Sequence, residues 1–190
     1  MKNKIKTPEL TIESLMDLAT NLSKAAFDKL GYVSPNCVCF GASKIIHIIR
    51  HIQSDEDKVE YLKDIRATCV AEAAQAVVYI HECWTCDYSP NATAASQYIR
   101  PSEHPQRREA VLAYVELSGG ASQLRHFPII RDKQEKPYLG EPQICSGSQI
   151  AGTFVSLLPS RPPTHAERII AQGFIEFRSQ KTRVNPFKNN

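Results

Sequence analysis

An α+β fold is predicted by this sequence: an antiparallel sheet with helices packed on it, in the order α-ββ-α-βββ-α. Two observations carry the prediction. Three segments space apolar residues three and four apart behind a capping residue, the pattern of a helix with one face in a core. Between them lie runs rich in β-branched and aromatic residues, joined by turns short enough for hairpins, which suits an antiparallel sheet.

The first helix can start at Thr7-Pro8 or at Thr11, carries Leu15, Leu18, Leu22, Phe27 and Leu30 on its apolar side, and ends at Gly31. Lys24, Asp28 and Lys29 make the wet side. VSPNCVCFGASKIIHIIRHI then reads as a hairpin around Gly41-Ala42-Ser43; its second half also satisfies helical spacing, and its isoleucines favour the strand. Ser54 with Asp57 forms a capping box, and Asp55, Glu56 and Asp57 suit the positive end of a helix dipole. Val59, Leu62, Ile65, Cys69 and Val70 line that second helix, with Cys69 on the buried side as a small core residue.

AVVYIHECW is the next strand, with Val78, Ile80, Glu82 and Trp84 on one face and Val77, Tyr79, His81 and Cys83 on the other. Residues 87–108 show no clean period, which is long for a connection and marks the segment as worth attention. EAVLAYVEL and LRHFPIIRD form a second hairpin about Gly119-Gly120, Asp132 to Pro137 is a polar turn, and a further strand is expected around Thr153 to Leu158. After Arg161-Pro162-Pro163, Thr164 and Glu167 cap a third helix that carries Ile169, Ile170, Gly173, Phe174 and Phe177. One domain over 1–178 with a flexible basic tail over 179–190 is the expected organisation, and the same element order resembles the roadblock, longin and profilin type of sandwich.

Composition narrows the function classes. With 190 residues, 42% hydrophobic and 23% charged, the chain can bury a real core, which excludes disordered and fibrous readings. No window offers the roughly 18 apolar residues of a membrane span, and MKNKIKTPELTIESL is not a secretory signal, so a cytoplasmic protein is expected. The six cysteines are then read as reduced thiols and Asn91-Ala92-Thr93 as an unused glycosylation sequon.

VVYIHECWTCDYSPN concentrates chemistry. Cys37, Cys39, Cys83 and Cys86 have the count of a tetrahedral zinc site, yet a CxC on a strand does not close around an ion, and CxxC in an extended strand points its thiols to opposite faces. The expectation is therefore no metal and no cofactor, with those four thiols as the alternative. A zinc deaminase needs HxE well ahead of PCxxC, and a thioredoxin-like site needs CxxC at a helix start; His81-Glu82 beside Cys83 and the following Asp87-Tyr88-Ser89-Pro90 fit neither.

The loop IRPSEHPQRREAV packs Arg100, Glu103, His104, Arg107 and Arg108 between prolines and a strand, and guanidinium forks suit planar anions. The strand end at Glu82 to Trp84, this loop and the later IIRD together resemble a group of uncharacterised bacterial and mobile-element proteins over roughly residues 70–140. That resemblance implies that Glu82, Trp84, Arg100, Pro101, His104, Pro105, Arg107 and Glu109 form one local unit, and it brings no activity. An arginine of the loop is the expected partner of Glu82, because a partly buried carboxylate requires one.

Three functions compete. The leading one is a non-catalytic interaction or regulatory module, with a protein partner or a second copy bound through a sheet edge or the arginine loop. The second is an anion binder or enzyme in which Glu82, His104 and Arg100 or Arg107 converge on one concavity, with Trp84 and Arg108 beside them. The third is nucleic-acid binding through the basic tail at Arg178, Lys181, Arg183 and Lys188.

Overall fold

Thr11 sets where the first helix begins. Its hydroxyl accepts from the Ser14 N–H at 3.2 Å while the Ser14 hydroxyl accepts from the Thr11 N–H at 3.2 Å, a capping box that opens α1 (Ile12–Leu30). Gly31 closes the helix at φ 76°, a left-handed conformation that glycine adopts without strain, and its N–H donates to the Phe27 carbonyl at 2.7 Å. The computed structural model describes residues 10–86, 101–145 and 156–184.

β1 (Asn36–Phe40) and β2 (Ile45–Ile49) form the expected hairpin, antiparallel from Asn36↔Ile49 to Phe40↔Ile45. Its turn needs glycine: the Gly41 N–H donates to the Lys44 carbonyl, and a Cβ at Gly41 would lie 2.9 Å from the Glu72 Cβ. Ser54 and Asp57 make the second capping box, at the start of α2 (Asp55–Ala71). β3 (Ala76–Thr85), β4 (Arg108–Leu117) and β5 (Ser122–Arg131) follow as long antiparallel neighbours. Two short strands, β6 (Pro137–Leu139) and β7 (Gln143–Cys145), both pair with β5 along the edge that β4 leaves open.

The result is an α+β fold whose sheet runs β2-β1-β3-β4-β5-β6, with a helix against each face. Strand alternation decides which residue goes where. Val38, Phe40, Val78, Ile80, Val111, Ala113, Val115 and Phe127 point to one side and meet Leu15, Met16 and Phe27 of α1. Cys37, Cys39, Val77, Tyr79 and Tyr114 point to the other and meet Tyr61, Leu62, Ile65 and Cys69 of α2. Full burial of each large apolar side chain is worth about 1.5–3 kcal/mol, so both layers contribute heavily. No helix among the described residues is long and apolar enough to cross a membrane.

Two expectations change near the C-terminal end. Of the strand read around Thr153 to Leu158, Thr153–Val155 lie outside the described residues, and Ser156 to Leu158 are not strand. Leu157 and Leu158 instead tuck into the α2-side core. Their anchor is Glu116, 8% exposed, whose carboxylate accepts from the Leu157 N–H at 2.8 Å and from the Tyr114 hydroxyl at 3.1 Å. The third helix, α3 (His165–Val184), starts at the predicted Thr164 and Glu167 capping box but runs on past Ser179, where a tail was expected.

Glu116→Leu keeps bulk but strands the Leu157 N–H in the core, and an unpaired buried donor costs about 1–3 kcal/mol. Urea unfolding followed by circular dichroism should show a stability loss of that order.

Candidate functional site

Beyond Ile80, β3 leaves the shelter of the helices: Ala76 to Ile80 are all buried, whereas burial then drops and alternates. The alternation puts Glu82 and Trp84 on the α1 side, and the register sets Trp84 opposite Glu109. The Arg107 guanidinium lies over the Trp84 ring at 5.0 Å from its centroid and donates to the Ser102 carbonyl at 3.1 Å. Glu109 is held by Arg131 of β5 at 2.9 Å. Trp84, Arg107, Glu109 and Arg131 thus make one exposed strip across three strands, led into by a single 3-10 turn at Pro101–Glu103.

Among the described residues the hydrogen-bond partner of Glu82 is not an arginine of the loop. The Glu82 Oε1 accepts from the Val33 backbone N–H at 2.7 Å, so the carboxylate ties the segment after α1 to the projecting strand. Partial burial raises its pKa from the ordinary carboxylate value, against the pull of that hydrogen bond. Arg107 is taken by the tryptophan face because Trp84 stands beside it and Glu82 already has a donor close at hand. His104 turns its Nδ1 toward the Gln106 N–H at 3.1 Å, a contact within its own turn. Arg108 is exposed at the start of β4, and Arg100 lies outside the described residues. The cavity that Glu82 does line, about 270 Å³, is shared with Tyr32, His51, Lys58 and His81, and neither His104 nor Arg107 reaches it.

The four-thiol arrangement of Cys37, Cys39, Cys83 and Cys86 is not assembled. Cys37 stands opposite Tyr79, and Cys83 lies four residues further along β3, roughly 13 Å at the usual strand rise. The thiol that does join the CxC pair comes from α2: Cys37 Sγ lies 3.8 Å from Cys39 Sγ, which lies 3.6 Å from Cys69 Sγ, all three fully buried. Hydrogen bonding to Cys39 and then burial raise Cys37 and Cys69 well above the ordinary thiol range, while those same bonds make Cys39 the most acidic of the three. Burial pushes the Cys83 thiol up to about 12. Among the described residues no three His, Cys, Asp or Glu side chains are grouped to hold an ion.

The pattern of α3 gives a second candidate surface, one that apolar spacing alone misassigns. The side facing α2 holds Arg168, Ala171 and Arg178: Arg168 donates to the Ala71 carbonyl at 3.1 Å, Ala171 is buried, and Arg178 bonds to Glu60 and, at 2.6 Å, to Asp64. Arg50 also reaches Asp64 at 2.6 Å. These groups, with Ile46, Ile48 and Ile175, border a cleft of about 500 Å³ between β2, α2 and α3. Ile169, Ile170 and Phe177 therefore face outward, at 53%, 72% and 56% exposure, while Phe174 lies at the margin with the Arg178 guanidinium over its ring, 5.5 Å from the centroid. The signal for this was present in Glu60 and Asp64, one helical turn apart on α2 and matched to Arg178.

Two measurements probe this region. Trp84 is the single tryptophan, so Arg107→Ala should uncover it and increase its fluorescence quenching by acrylamide. His81 stacks on Tyr79 with ring centroids 4.8 Å apart, and burial first, then Lys58, lowers its pKa from 6.5 to about 4. The unfolded chain thus binds this proton more readily, so stability is retained above pH 6.5 and lost as pH falls from there toward 4. The residue is only partly buried, so the loss stays below the about 3 kcal/mol that the full shift would give. Urea titrations across that range should show it, and His81→Phe should flatten the slope.

A comparison with curated proteins gave no match, and neither did one with solved structures. A family model does match, over residues 2–159, which takes in both core layers and the whole Trp84 strip. The match makes this a phage or mobile-element protein: the chain belongs to the family of bacteriophage lambda protein ea47.

Proposed function

We propose that this chain is a non-catalytic interaction or regulatory module of a phage or mobile-element system, with the outer face of α3 as its docking surface for a protein partner. The observation that carries the reading is the exposed apolar row Ile170, Phe174 and Phe177, with Ile169 beside it, on a helix that Arg168, Ala171 and Arg178 hold to α2, Arg178 also covering the edge of the row at Phe174. A contiguous exposed apolar patch on a small protein marks an interaction site. Membership of a phage protein family supports the setting.

The chemistry-bearing side chains point the same way, since each is engaged in holding structure. Glu82 serves Val33, Arg107 serves Trp84 and Ser102, and Glu109 serves Arg131. An anion binder or enzyme built on Glu82, His104 and Arg107 would need those groups turned to a common point. Nucleic-acid binding through the C-terminal basic residues loses Arg178 to Glu60 and Asp64; Lys188 lies outside the described residues.

The test is affinity capture of the tagged chain from phage-bearing bacteria, beside an Ile170→Asp/Phe174→Asp variant. One protein should accompany the wild type in near-stoichiometric amount and be lost from the variant while circular dichroism stays unchanged. A wild-type chain recovered alone, or a companion equally abundant on both, overturns the reading.

A further inference from the structure

We infer that the chain associates with a second copy of itself through the free edge of β2, the two strands pairing antiparallel about a two-fold axis at His47. This goes beyond the α3 reading and uses a different surface. β2 is the outermost strand of the sheet, and no described residue pairs with its outer side.

Hydrogen-bond phase is the first argument. The Gly41 N–H donates to the Lys44 carbonyl and the Arg50 N–H to the Pro35 carbonyl, so positions 44 and 50 direct their backbone groups toward β1. In an antiparallel ladder this alternates, which makes 46 and 48 inward as well. Ile45, His47 and Ile49 are left with N–H and C=O groups directed to the open side.

Self-complementarity is the second argument. Ile45-Ile46-His47-Ile48-Ile49 reads the same in both directions. An antiparallel partner centred on His47 sets Ile45 against Ile49 of the other copy and His47 against His47. All three outward positions then both donate and accept, and none is left over. A register slipped by one residue would face outward groups with inward ones, and a slip of two keeps the phase but sets Ile45 against His47 and leaves an isoleucine of each strand with no strand residue opposite.

Exposure and charge supply the third. Ile45 and Ile49 are 54% and 63% exposed although β-branched apolar side chains of this kind belong in a sheet. Edge strands that stay single usually carry a charge, a proline or a bulge, and this one has none of these between Ile45 and Ile49. The flanking cations would face each other across the axis, but Lys44 is matched by Glu72 at 3.1 Å and Arg50 by Asp64 at 2.6 Å. The edge therefore offers a second copy apolar contacts and open hydrogen bonds, with Lys44 paired to Glu72 and Arg50 sharing Asp64 with Arg178.

Sedimentation equilibrium of the full chain tests this. The wild type should show a mass near twice 21.3 kDa. His47→Pro removes an N–H that β1 does not use and should give a monomer; Ile49→Lys, on an exposed side chain, should do the same. The pairing of 45 with 49 makes a sharper demand: Ile45→Lys/Ile49→Glu in one chain should regain the dimer that Ile49→Lys loses, because opposite charges then meet twice across the axis. A wild type that stays monomeric to millimolar concentration overturns the inference, as does a dimer that survives both single substitutions, or no recovery in the double variant. Ile170→Asp/Phe174→Asp should remain dimeric; dissociation there, with β2 variants still paired, would move self-association to α3 and overturn this inference while leaving an α3 interaction surface standing.

Discussion

Two-sided burial of the central strands is the constraint on which the rest of the molecule depends. Ala76 to Ile80 are buried residue after residue, so neither face of β3 can be left to water. A strand of that kind needs a cover on each side, and the chain supplies α1 to one and α2 to the other. Glu116 belongs to the same logic: beyond the reach of α2, Leu157 and Leu158 complete the lid, and one buried carboxylate secures them.

This constraint was legible because it is written in local patterns. Thr11, Gly31, Ser54 and Thr164 mark helix ends by the geometry of caps, and alternation along Val77 to Trp84 separates the two faces correctly. Turn chemistry at Gly41 and Gly120 located the hairpins for the same reason. The short strands β6 and β7 were hidden because three residues carry no period, and they exist only through pairing with β5. The length of α3 was hidden because Arg178, read as tail, is fixed by acids far away in sequence.

The candidate sites were less legible than the fold, for a physical reason. Residue type shows what a side chain can do, whereas its partner is chosen by distance in three dimensions. Glu82 suited an arginine and found a backbone N–H after α1; Arg107 suited a carboxylate and found an aromatic face. The thiols show the same thing, since Cys39 meets Cys69 across the layer rather than Cys83 along the strand. Apolar rows carry the opposite ambiguity: Ile170, Phe174 and Phe177 have the spacing of a core face, and only the arginines beside them reveal that the helix is turned the other way.

β3 divides into a buried half and a projecting half, and this separates the two by how strictly their pairing is fixed. Register is locked at Ala76 to Ile80, where a shift by one residue would turn every core side chain to the wrong layer. Past His81 the β3 side chains alternate between half-buried and exposed while Ala110 and Val111 opposite Cys83 and Glu82 stay buried, and the connection beyond Thr85 can change length at small entropic cost. A change of length in that connection therefore leaves the register of the core beneath it in place.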